Sequence, residues 1–388
     1  MKGRCPYQLS RNSARGEPEQ RGERVNNTDI ITSKQLIFII IGAQTGIGIF
    51  SLPRLVSAEA HQDAWLVVLL GALVPLLILI IIERLGRRMP ESSFVGMNHL
   101  LFGRWLGSAM VFLFVVYVVF FQSTVVRLFT EITIVFLLPR TPAPVVALMV
   151  VLGAVYIINK GARVVARVNE VLFWIILPLL FIIMAPLINA DYTEILPVGE
   201  AGVKALAQGV LSSSNAYAGM EVLLVFYFLV KSKGEIIKAG ILGLGWTTLA
   251  YLIVTLVCLL VWGSEIIQVI NWPMLTVLKT IKFPVLERPE ILMLAVWMGV
   301  GVRPIVNMGF AAAFSLSEVL HVKPDKYFHL VVMSIALPTY ILALLPANLI
   351  VAFKWAEYAG YTSLLAGLLY PLLMLVIAVI RGKGVQSA

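Results

Sequence analysis

The chain has 388 residues, of which 60% are hydrophobic and only 13% are charged, with a formal net charge of +9. Soluble globular domains carry about 25% charged residues, so this composition excludes that class and indicates a protein embedded in a lipid bilayer. The two cysteines and four histidines show no metal-ligand spacing, and no phosphate-binding P-loop motif occurs. We therefore expect no cofactor, no metal site and no enzymatic activity.

The N-terminal segment, residues 1–29, differs from the rest of the chain. It is polar, rich in Arg, Glu, Asn and Pro, and contains no apolar run. A cleavable signal peptide needs a short apolar core, so we interpret this segment as a disordered cytoplasmic tail. A remnant of an added or wrongly assigned start is the alternative. Residues 30–388 are predicted to form a single transmembrane domain.

Ten apolar segments follow the tail, and crossing a bilayer takes about 20 mostly apolar residues. The sequence therefore predicts an all-α integral membrane protein with about ten transmembrane helices. The predicted spans cover residues 34–54, 64–83, 107–137, 143–159, 170–189, 205–230, 236–262, 290–317, 328–346 and 358–380. The short connections at 138–142 and 160–169 make the helices that flank them antiparallel neighbours.

The distribution of Lys and Arg between these spans predicts their orientation. With the tail in the cytoplasm, 21 basic residues lie on the inner side, seven lie on the outer side and two lie within spans. Because inner loops of membrane proteins are enriched in Lys and Arg, both termini are predicted to be cytoplasmic. The positive net charge is thus explained by topology and contact with anionic lipid, so no nucleic-acid partner is expected.

The first span is interrupted at GAQTGIGIFSLPR (42–54), which places three glycines, a Gln and a Thr at mid-membrane depth. Gly42 and Gly46 are four residues apart, so a helix-packing face is one interpretation. That interpretation leaves Gln44, Thr45 and Gly48 unexplained. Each glycine costs about 1 kcal/mol in a helix relative to alanine, so the cluster favours a broken helix. An unwound backbone at this depth has to line a cavity or be buried in protein.

The sixth span carries a second interruption, GVLSSSNAYAGMEVLLVF (209–226). Ser and Asn side chains compete for backbone hydrogen bonds and weaken a helix. Spans one and six are five spans apart, so the two halves, about 30–190 and 205–380, would insert with opposite orientations. Paired interruptions in inverted halves indicate a ligand site of the kind found in secondary transporters.

The broken ends define the chemistry expected of such a site. Free N–H groups at the start of the second half-helix carry a positive dipole end, which suits a carboxylate. Carbonyls at the end of the first half-helix suit an ammonium group. A site with both poles fits a zwitterionic α-amino acid, and the glycines allow the backbone to approach it closely.

These segments resemble a known group of proteins. GAQTGIGIFSLPR is similar to the first-helix signature of the amino acid–polyamine–organocation (APC) superfamily, and YAGME (217–221) resembles its sixth-helix motif. From about residue 30 to 380 the chain resembles more narrowly the B subunit of endospore germinant receptors. The loop INWPMLTVLKTIKFPVLERPE (270–290) and the approach DYTEILPVGEAGVKALAQG (191–209) support this resemblance. It implies a leucine-transporter-type fold of 5+5 inverted repeats with broken helices 1 and 6.

The resemblance also implies roles for individual residues. The amides of Gly46, Ile47 and Gly48 would hold the carboxylate, and carbonyls near Gly42, Ala43 and Asn215 would hold the amine. The full set of predicted substrate-binding residues is Gly42, Ala43, Thr45, Gly46, Ile47, Gly48, Gln122, Thr124, Ser213, Asn215, Tyr217 and Gly219. Gln122 and Thr124 enter this set because they lie in the middle of the long third span. Sodium coupling is not expected, because span eight lacks the paired hydroxyl residues of sodium-coupled relatives.

Four ionisable residues lie inside predicted spans, where a charge at the centre costs at least about 2.5 kcal/mol. Glu221 follows the second break and is predicted to orient the broken helix or contact the span-one backbone, with ligand contact and proton coupling as alternatives. Arg303 either replaces a cation near the first break or is a structural group. Arg127 and Glu131, four residues apart, are predicted to form a structural ion pair, with gating as the alternative.

Three functions remain open at this point. The chain is a germinant-sensing subunit that binds a small amino acid, a proton-coupled amino acid transporter, or a structural membrane subunit with a vestigial pocket. The resemblance implies the first, in the spore inner membrane and with A and C receptor subunits as partners. A transporter has to alternate access, whereas a sensor needs only a ligand-dependent shift in population.

Overall fold

A computed structural model describes residues 30–280, 288–322 and 324–382. The predicted tail, residues 1–29, and residues 281–287 of the loop before span eight lie outside the described residues. The described part of the chain is helical apart from one bridge between Ile31 and Val230. This bridge ties the start of span one to the end of span six, because Ile31 N–H donates to Leu229 and Lys231 N–H donates to Ile31.

Eighteen α-helices occur within the described residues. They are α1 Ser33–Gln44, α2 Gly48–Ala60, α3 Ala64–Gly71, α4 Leu73–Arg88, α5 Phe94–Phe102, α6 Arg104–Phe136, α7 Ala143–Ile158, α8 Ala162–Met184, α9 Val203–Ser212, α10 Ser214–Tyr217, α11 Leu223–Leu229, α12 Ile236–Val269, α13 Pro273–Leu278, α14 Pro289–Val300, α15 Arg303–Val319, α16 Pro324–Leu344, α17 Leu349–Leu364 and α18 Tyr370–Ile380. A π-helical segment, Leu365–Leu369, joins α17 to α18.

Seven helical stretches in the described ranges are long and apolar enough to cross a membrane. One of them, Gly48–Arg88, combines the second half of predicted span one with span two. Ala143–Ile158 and Ser214–Leu229, which belong to predicted spans four and six, are apolar but shorter. The tenth span begins earlier than predicted, at Leu349, because Lys354 and Glu357 had interrupted its apolar pattern.

Both predicted interruptions are present. Span one divides into α1 and α2 at Thr45–Ile47, and span six divides after α10. At the second break Gly219 has a φ of +122°, which is unfavourable for residues with a Cβ atom. A Cβ atom at position 219 would lie 2.6 Å from the carbonyl oxygen of Ala43. The two breaks therefore cross at van der Waals distance in the middle of the protein.

Span eight is also interrupted, at Gly301 and Val302 between α14 and α15. Pro304 has no N–H group to donate to the carbonyl of Val300. The buried side chain of Arg303 supplies a donor instead, with Nε 3.1 Å from the Val300 oxygen. The Arg303 side chain thus satisfies the carbonyl that Pro304 leaves free.

The remaining helices enclose the crossing point. The long helix α6 packs against α5, α15, α16 and α17, and α1 packs against α8, α12 and α15. The crossing point is thus surrounded by helices from both halves of the chain. Ligand chemistry at this depth depends on the groups that the two breaks expose.

Candidate functional site

A small cavity lies at the crossing of the two broken helices. The space open to a water-sized sphere is about 20 Å³, enough for about one water molecule. Its lining combines both breaks with α6 and α15: Ala43, Gln44, Gly46, Ile47, Gly48, Phe121, Thr124, Val125, Leu128, Asn215, Ala216, Ala218 and Pro304. A ligand larger than water therefore requires the surrounding helices to move apart.

The first break is a tight turn that leaves backbone donors available. Thr45 has φ −78° and ψ +82°, and the amide of Gly46 donates to the carbonyl of Gln44 at 2.9 Å, as in an inverse γ-turn. In the described part of the chain, the amide of Ile47 has no acceptor. Gly48 begins α2, where the first N–H groups have no intrahelical partner. Ile47 and Gly48 both line the cavity and present the positive end of the α2 dipole.

Two side-chain amide oxygens provide hydrogen-bond acceptors, in contrast to the backbone donors of the first break. Gln44 and Asn215 line the cavity, and both Gln44 Oε1 and Asn215 Oδ1 are buried without a hydrogen-bond donor among the described residues. The Gln44 side chain is held in place because its Nε2 donates to the carbonyl of Tyr217 at 3.2 Å. A buried acceptor without a donor is destabilising by about 1–3 kcal/mol, so both oxygens favour a ligand that brings N–H groups.

The second break is held by side chains instead. Glu221 is 1% exposed, accepts a hydrogen bond from the Gly219 amide at 2.9 Å and accepts another from the hydroxyl of Tyr117 on α6. This arrangement supports the predicted orienting role of Glu221. The Tyr217 side chain points away from the cavity, because its hydroxyl donates to the carbonyl of Val68 on α3 at 2.8 Å.

Arg303 is the buried cation closest to the first break. Its Nη2 donates to Thr45 Oγ1 at 2.9 Å, and Thr45 Oγ1 in turn donates to the Ile41 carbonyl at 2.6 Å. In the described ranges no carboxylate lies within ion-pair distance of Arg303, and its Nη1 has no partner. The guanidinium therefore faces the C-terminal end of α1, where a helix dipole stabilises positive charge.

Half of the predicted substrate-binding residues come together at the cavity. Those that line it are Ala43, Gly46, Ile47, Gly48, Thr124 and Asn215. Those whose atoms are not part of this lining are Gly42, Thr45, Gln122, Ser213, Tyr217 and Gly219. Thr45 and Gly219 belong to the turns of the two breaks, so they shape the cavity without lining it.

Gln122 lies at a different place from the cavity. Its Nε2 donates to the carbonyl of Ile305 at 2.8 Å, and it lines a second, mostly apolar space of about 20 Å³ bounded by α6, α7, α15 and α16. Ser213 donates to the Val210 carbonyl within its own helix turn. Arg127 and Glu131 form the predicted ion pair, with Nη2 and Oε1 2.6 Å apart.

Sequence reasoning missed several residues of the site. A helix-packing face did not explain Gln44 in the sequence, but Gln44 was not predicted to bind ligand. Asn169 on α8 and Asn307 on α15, both fully buried, exchange two hydrogen bonds of 2.7 and 3.1 Å, and Asn307 also donates to the Ile39 carbonyl of α1. Asn307 inside predicted span eight was an available signal, whereas Asn169 lay in the predicted connection 160–169 and the structure places it within α8. No group of three metal-ligating side chains occurs within the described ranges.

The sequence matches a described protein family. Residues 30–349 match the family model "Spore germination protein". Spore germination protein YndE of Bacillus subtilis (strain 168) is 27% identical over 362 residues, covering 92% of this chain and 98% of that protein. Spore germination protein GerQB of Bacillus cereus is 27% identical over 270 residues, covering 69% of this chain and 74% of that protein.

Two solved structures share the architecture. The nucleobase-cation-symport-1 family transporter Mhp1, in a closed conformation with bromovinylhydantoin bound, matches with a TM-score of 0.69 at 13% identity, covering 92% of this chain and 82% of that one. MhsT in complex with L-phenylalanine matches with a TM-score of 0.59 at 14% identity, covering 91% and 99%. These matches confirm the leucine-transporter-type fold with broken helices 1 and 6.

Proposed function

The chain belongs to the spore germination protein family, and from that premise we propose that it is the membrane-embedded subunit of a germinant receptor that binds a small α-amino acid. The observation that carries this proposal is the pairing of opposite unsatisfied groups around one cavity. The amides of Ile47 and Gly48, which have no acceptor among the described residues, line the same cavity as the Gln44 and Asn215 side-chain oxygens, which have no donor there.

The two sets of groups match the two charges of an amino acid. A carboxylate accepts from the Ile47 and Gly48 amides and lies at the N-terminal end of α2, where the helix dipole favours negative charge. An ammonium group has three N–H donors, which the oxygens of Gln44 and Asn215 accept. Both interactions form in a site away from water, where electrostatic attraction is strong.

The rest of the lining selects the ligand's side chain. Phe121, Val125, Leu128, Ala218 and Pro304 are apolar, and Thr124 donates to the Phe121 carbonyl of its own helix. No charged side chain belongs to the described lining. A small apolar side chain, as in alanine, therefore fits this environment better than a charged or long polar one.

Ligand binding has to change the protein, because the cavity has room for about one water molecule. A ligand that separates α2 and α10 shifts the population toward a wider arrangement. In a sensor, that shift is the signal. We propose that partner A and C subunits of the receptor receive it in the spore inner membrane, with both termini of this chain in the cytoplasm.

A proton-coupled amino acid transporter is the second candidate. It is favoured by the fold, which the chain shares with solved transporters, and by Glu221, a buried carboxyl group hydrogen-bonded at the second break. The buried guanidinium of Arg303 beside the first break disfavours coupling to a sodium ion there, because a covalently attached cation cannot dissociate during a transport cycle. Proton coupling would therefore depend on Glu221.

A thermal-shift screen of the purified full chain against the common amino acids tests the proposal directly. A ligand that binds only the folded state raises the melting temperature. We expect one or a few small apolar amino acids to do so. Stabilisation only by acidic, basic or nucleobase-like compounds would contradict the proposed ligand class.

Gly46→Val provides a site-directed test. A Cβ atom at position 46 would lie 2.8 Å from Cγ of Pro304, so valine closes the cavity and moves the first break. We expect amino acid binding to be lost while the protein remains inserted. Gly245→Val on α12, where a Cβ atom meets nothing within 4 Å, is the matched control and should bind normally. Equal binding by both variants would reject the amide site.

Uptake by proteoliposomes separates the sensor from the transporter. We expect saturable binding of the amino acid identified by the screen, with no accumulation when a proton gradient is applied. Accumulation that depends on the gradient would establish the transporter instead. Glu221→Gln would then be the variant in which coupling is measured.

A further inference from the structure

Tyr251, on α12 of span seven, connects the two broken helices. Its side chain is fully buried, and its hydroxyl oxygen lies 2.8 Å from the carbonyl oxygen of Gln44 and 2.8 Å from that of Ala216. Gln44 is the last residue of α1, and Ala216 lies in the last turn of α10. One hydroxyl thus contacts the carbonyl ends of both half-helices, although span seven belongs to neither break.

The hydroxyl has one hydrogen for two acceptors. The last carbonyls of a helix have no intrahelical N–H partner, so both need an external donor. The Gln44 carbonyl also accepts from the Gly46 amide, but no other donor to the Ala216 carbonyl is found in the described part of the chain outside the short α10 turn. Two carbonyl oxygens repel each other unless a donor lies between them. Tyr251 therefore holds the two helix ends at a set separation.

The distance between the Gln44 and Ala216 carbonyls also sets the distance between the parts of the candidate site that the two breaks contribute. Gln44 is three residues from Ile47, whose amide is free, and Ala216 is bonded directly to Asn215, whose side-chain oxygen is free. Any change in the distance between the two carbonyls therefore changes the distance between the Ile47 amide, which would bind the carboxylate, and the Asn215 oxygen, which would bind the ammonium group. A ligand that contacts both positions at once is sensitive to this distance, whereas a ligand that contacts one is not.

We propose that Tyr251 is a positioning residue that sets the spacing of the two half-sites and thereby selects α-amino acids over β-amino acids. This inference rests on the proposed function, because it concerns the same cavity. In an α-amino acid one carbon separates the carboxylate from the ammonium nitrogen, and in a β-amino acid two carbons separate them. A fixed distance between the two half-sites therefore admits an α-amino acid and excludes a β-amino acid.

Tyr217 provides a matched control. It is buried like Tyr251, and the two rings pack edge to face with centroids 5.1 Å apart. Its hydroxyl also donates to a backbone carbonyl at 2.8 Å, but that carbonyl is Val68 on α3, which belongs to neither break. Tyr217→Phe and Tyr251→Phe thus remove the same chemical group from the same aromatic pair, and only the second removes the contact with both helix ends.

The experiment measures the affinity of the full chain in nanodiscs for four probes, by competition against a labelled amino acid or by thermal shift. L-alanine and β-alanine have the same composition and differ in spacing, and propionate and ethylamine each present one of the two charged groups. We expect the wild type to prefer L-alanine to β-alanine. In Tyr251→Phe we expect affinity for L-alanine to fall about tenfold, the value of one hydrogen bond, and the preference over β-alanine to shrink.

Propionate and ethylamine distinguish positioning from damage to the fold. Both should bind Tyr251→Phe about as they bind the wild type, and Tyr217→Phe should keep the preference for L-alanine. Equal loss of all four probes in Tyr251→Phe would mean a general structural role and overturn the inference. So would an unchanged ratio of L-alanine to β-alanine affinity.

The wild type alone gives an independent test in case Tyr251→Phe does not fold. A wild-type protein that binds β-alanine as tightly as L-alanine has no fixed spacing, and the inference fails while the proposed amino acid site stands. A wild-type protein that binds neither amino acid, nor any in the thermal-shift screen, overturns the proposed function and the inference with it.

Discussion

The two breaks look alike in the sequence but are built differently. At the first break the chain turns within three residues, Thr45–Ile47, and leaves the Ile47 amide without an acceptor in the described chain. At the second break the Gly219 amide is bound by Glu221, which is itself held by Tyr117 of α6. The first break therefore exposes donors to the cavity, and the second is fastened to its surroundings.

This difference separates two roles that one broken-helix motif can have. Unsatisfied polar groups are costly when buried, so a site that keeps them needs a ligand or water to complete them. Backbone groups that are already satisfied cost little and give a rigid support. In the proposed site the first break thus supplies the free amides, and the second break presents the Asn215 oxygen from a backbone that Glu221 and Tyr117 hold. Three substitutions at the two breaks, each with a control, test this division in order of decreasing expected effect.

Gly219→Ala should have the largest effect on stability. The residue has φ +122°, and a Cβ atom would lie 2.6 Å from the backbone oxygen of Ala43. Strain of this kind costs about 1–3 kcal/mol, and the overlap with rigid backbone adds to it, so we expect a loss of about 3 kcal/mol or more. Thermal or denaturant unfolding in detergent measures the change.

Gly199→Ala is the control for that prediction. Gly199 also has a positive φ, +89°, but a Cβ atom there meets nothing within 4 Å. Its substitution should therefore show the strain alone. If the two variants lose equal stability, the close crossing of the breaks is not what position 219 requires.

Glu221→Gln should cost about 2 kcal/mol, because a buried donor left without its acceptor costs about 1–3 kcal/mol. A glutamine side chain replaces one accepting oxygen with an NH₂ group, which cannot accept from either Gly219 or Tyr117. The control is Glu357→Gln on α17, where an exposed carboxylate also accepts from a tyrosine hydroxyl, that of Tyr361, and we expect it to cost about 0.5 kcal/mol or less. Melting temperatures compare the two. Equal losses at both positions would show that the second break does not depend on Glu221.

Thr45→Ala should cost about 1–2 kcal/mol, because it removes the acceptor of Arg303 Nη2 and leaves a buried guanidinium with fewer partners. The control is Thr130→Ala on α6, a buried threonine whose hydroxyl donates only to the Val126 carbonyl of its own helix. We expect the control to cost less. Equal unfolding free energies for both variants would mean that Arg303 does not need the first break.

His99 on α5, outside the predicted spans, should contribute a small pH dependence that is unrelated to either break. Burial, and then the charges of Arg104 and His321, lower the pKa of His99 from its usual 6.5. A lowered histidine pKa means that the folded state disfavours the charged form, so stability is highest above pH 6.5 and falls as the pH drops below it.

Melting temperatures at pH 7.5 and 5.5 measure this effect, and His99→Gln should reduce the difference between them. A variant that keeps the full pH dependence of the wild type would assign the effect to another group. Variants at the two breaks should leave this pH dependence unchanged, because His99 hydrogen-bonds Ser108 and contacts neither break.

Much of the fold could be predicted because its signals are local. Apolar segments of about 20 residues identify spans, and runs such as GAQTG and SSSNAYAG identify where a helix breaks. Glu221 was predicted to orient a broken helix because a carboxyl group next to a break has backbone donors within reach. Its contact with Gly219, two residues away, agrees with that expectation.

The cavity itself was predicted only in part. Tyr217 was placed in the site by the family resemblance and Gln122 by its depth in the membrane, but their side chains turn toward α3 and α15. The depth of a residue in the membrane follows from its position along a span. The direction in which its side chain points follows from the rotation of the helix about its axis. That rotation is set by packing against neighbouring helices, and no local pattern in an almost uniformly apolar span reports it.

The sequence by itself determined that this is a bilayer protein of two inverted halves, each with one weakened helix, because hydropathy and helix propensity act over a few neighbouring residues. The tertiary structure decided which atoms meet at the crossing. Tyr251 reaches Gln44 across 207 positions of sequence, and Asn169 reaches Asn307 across 138. Such hydrogen bonds form only once the helices have packed, so their geometry belongs to the folded chain and not to any segment of it.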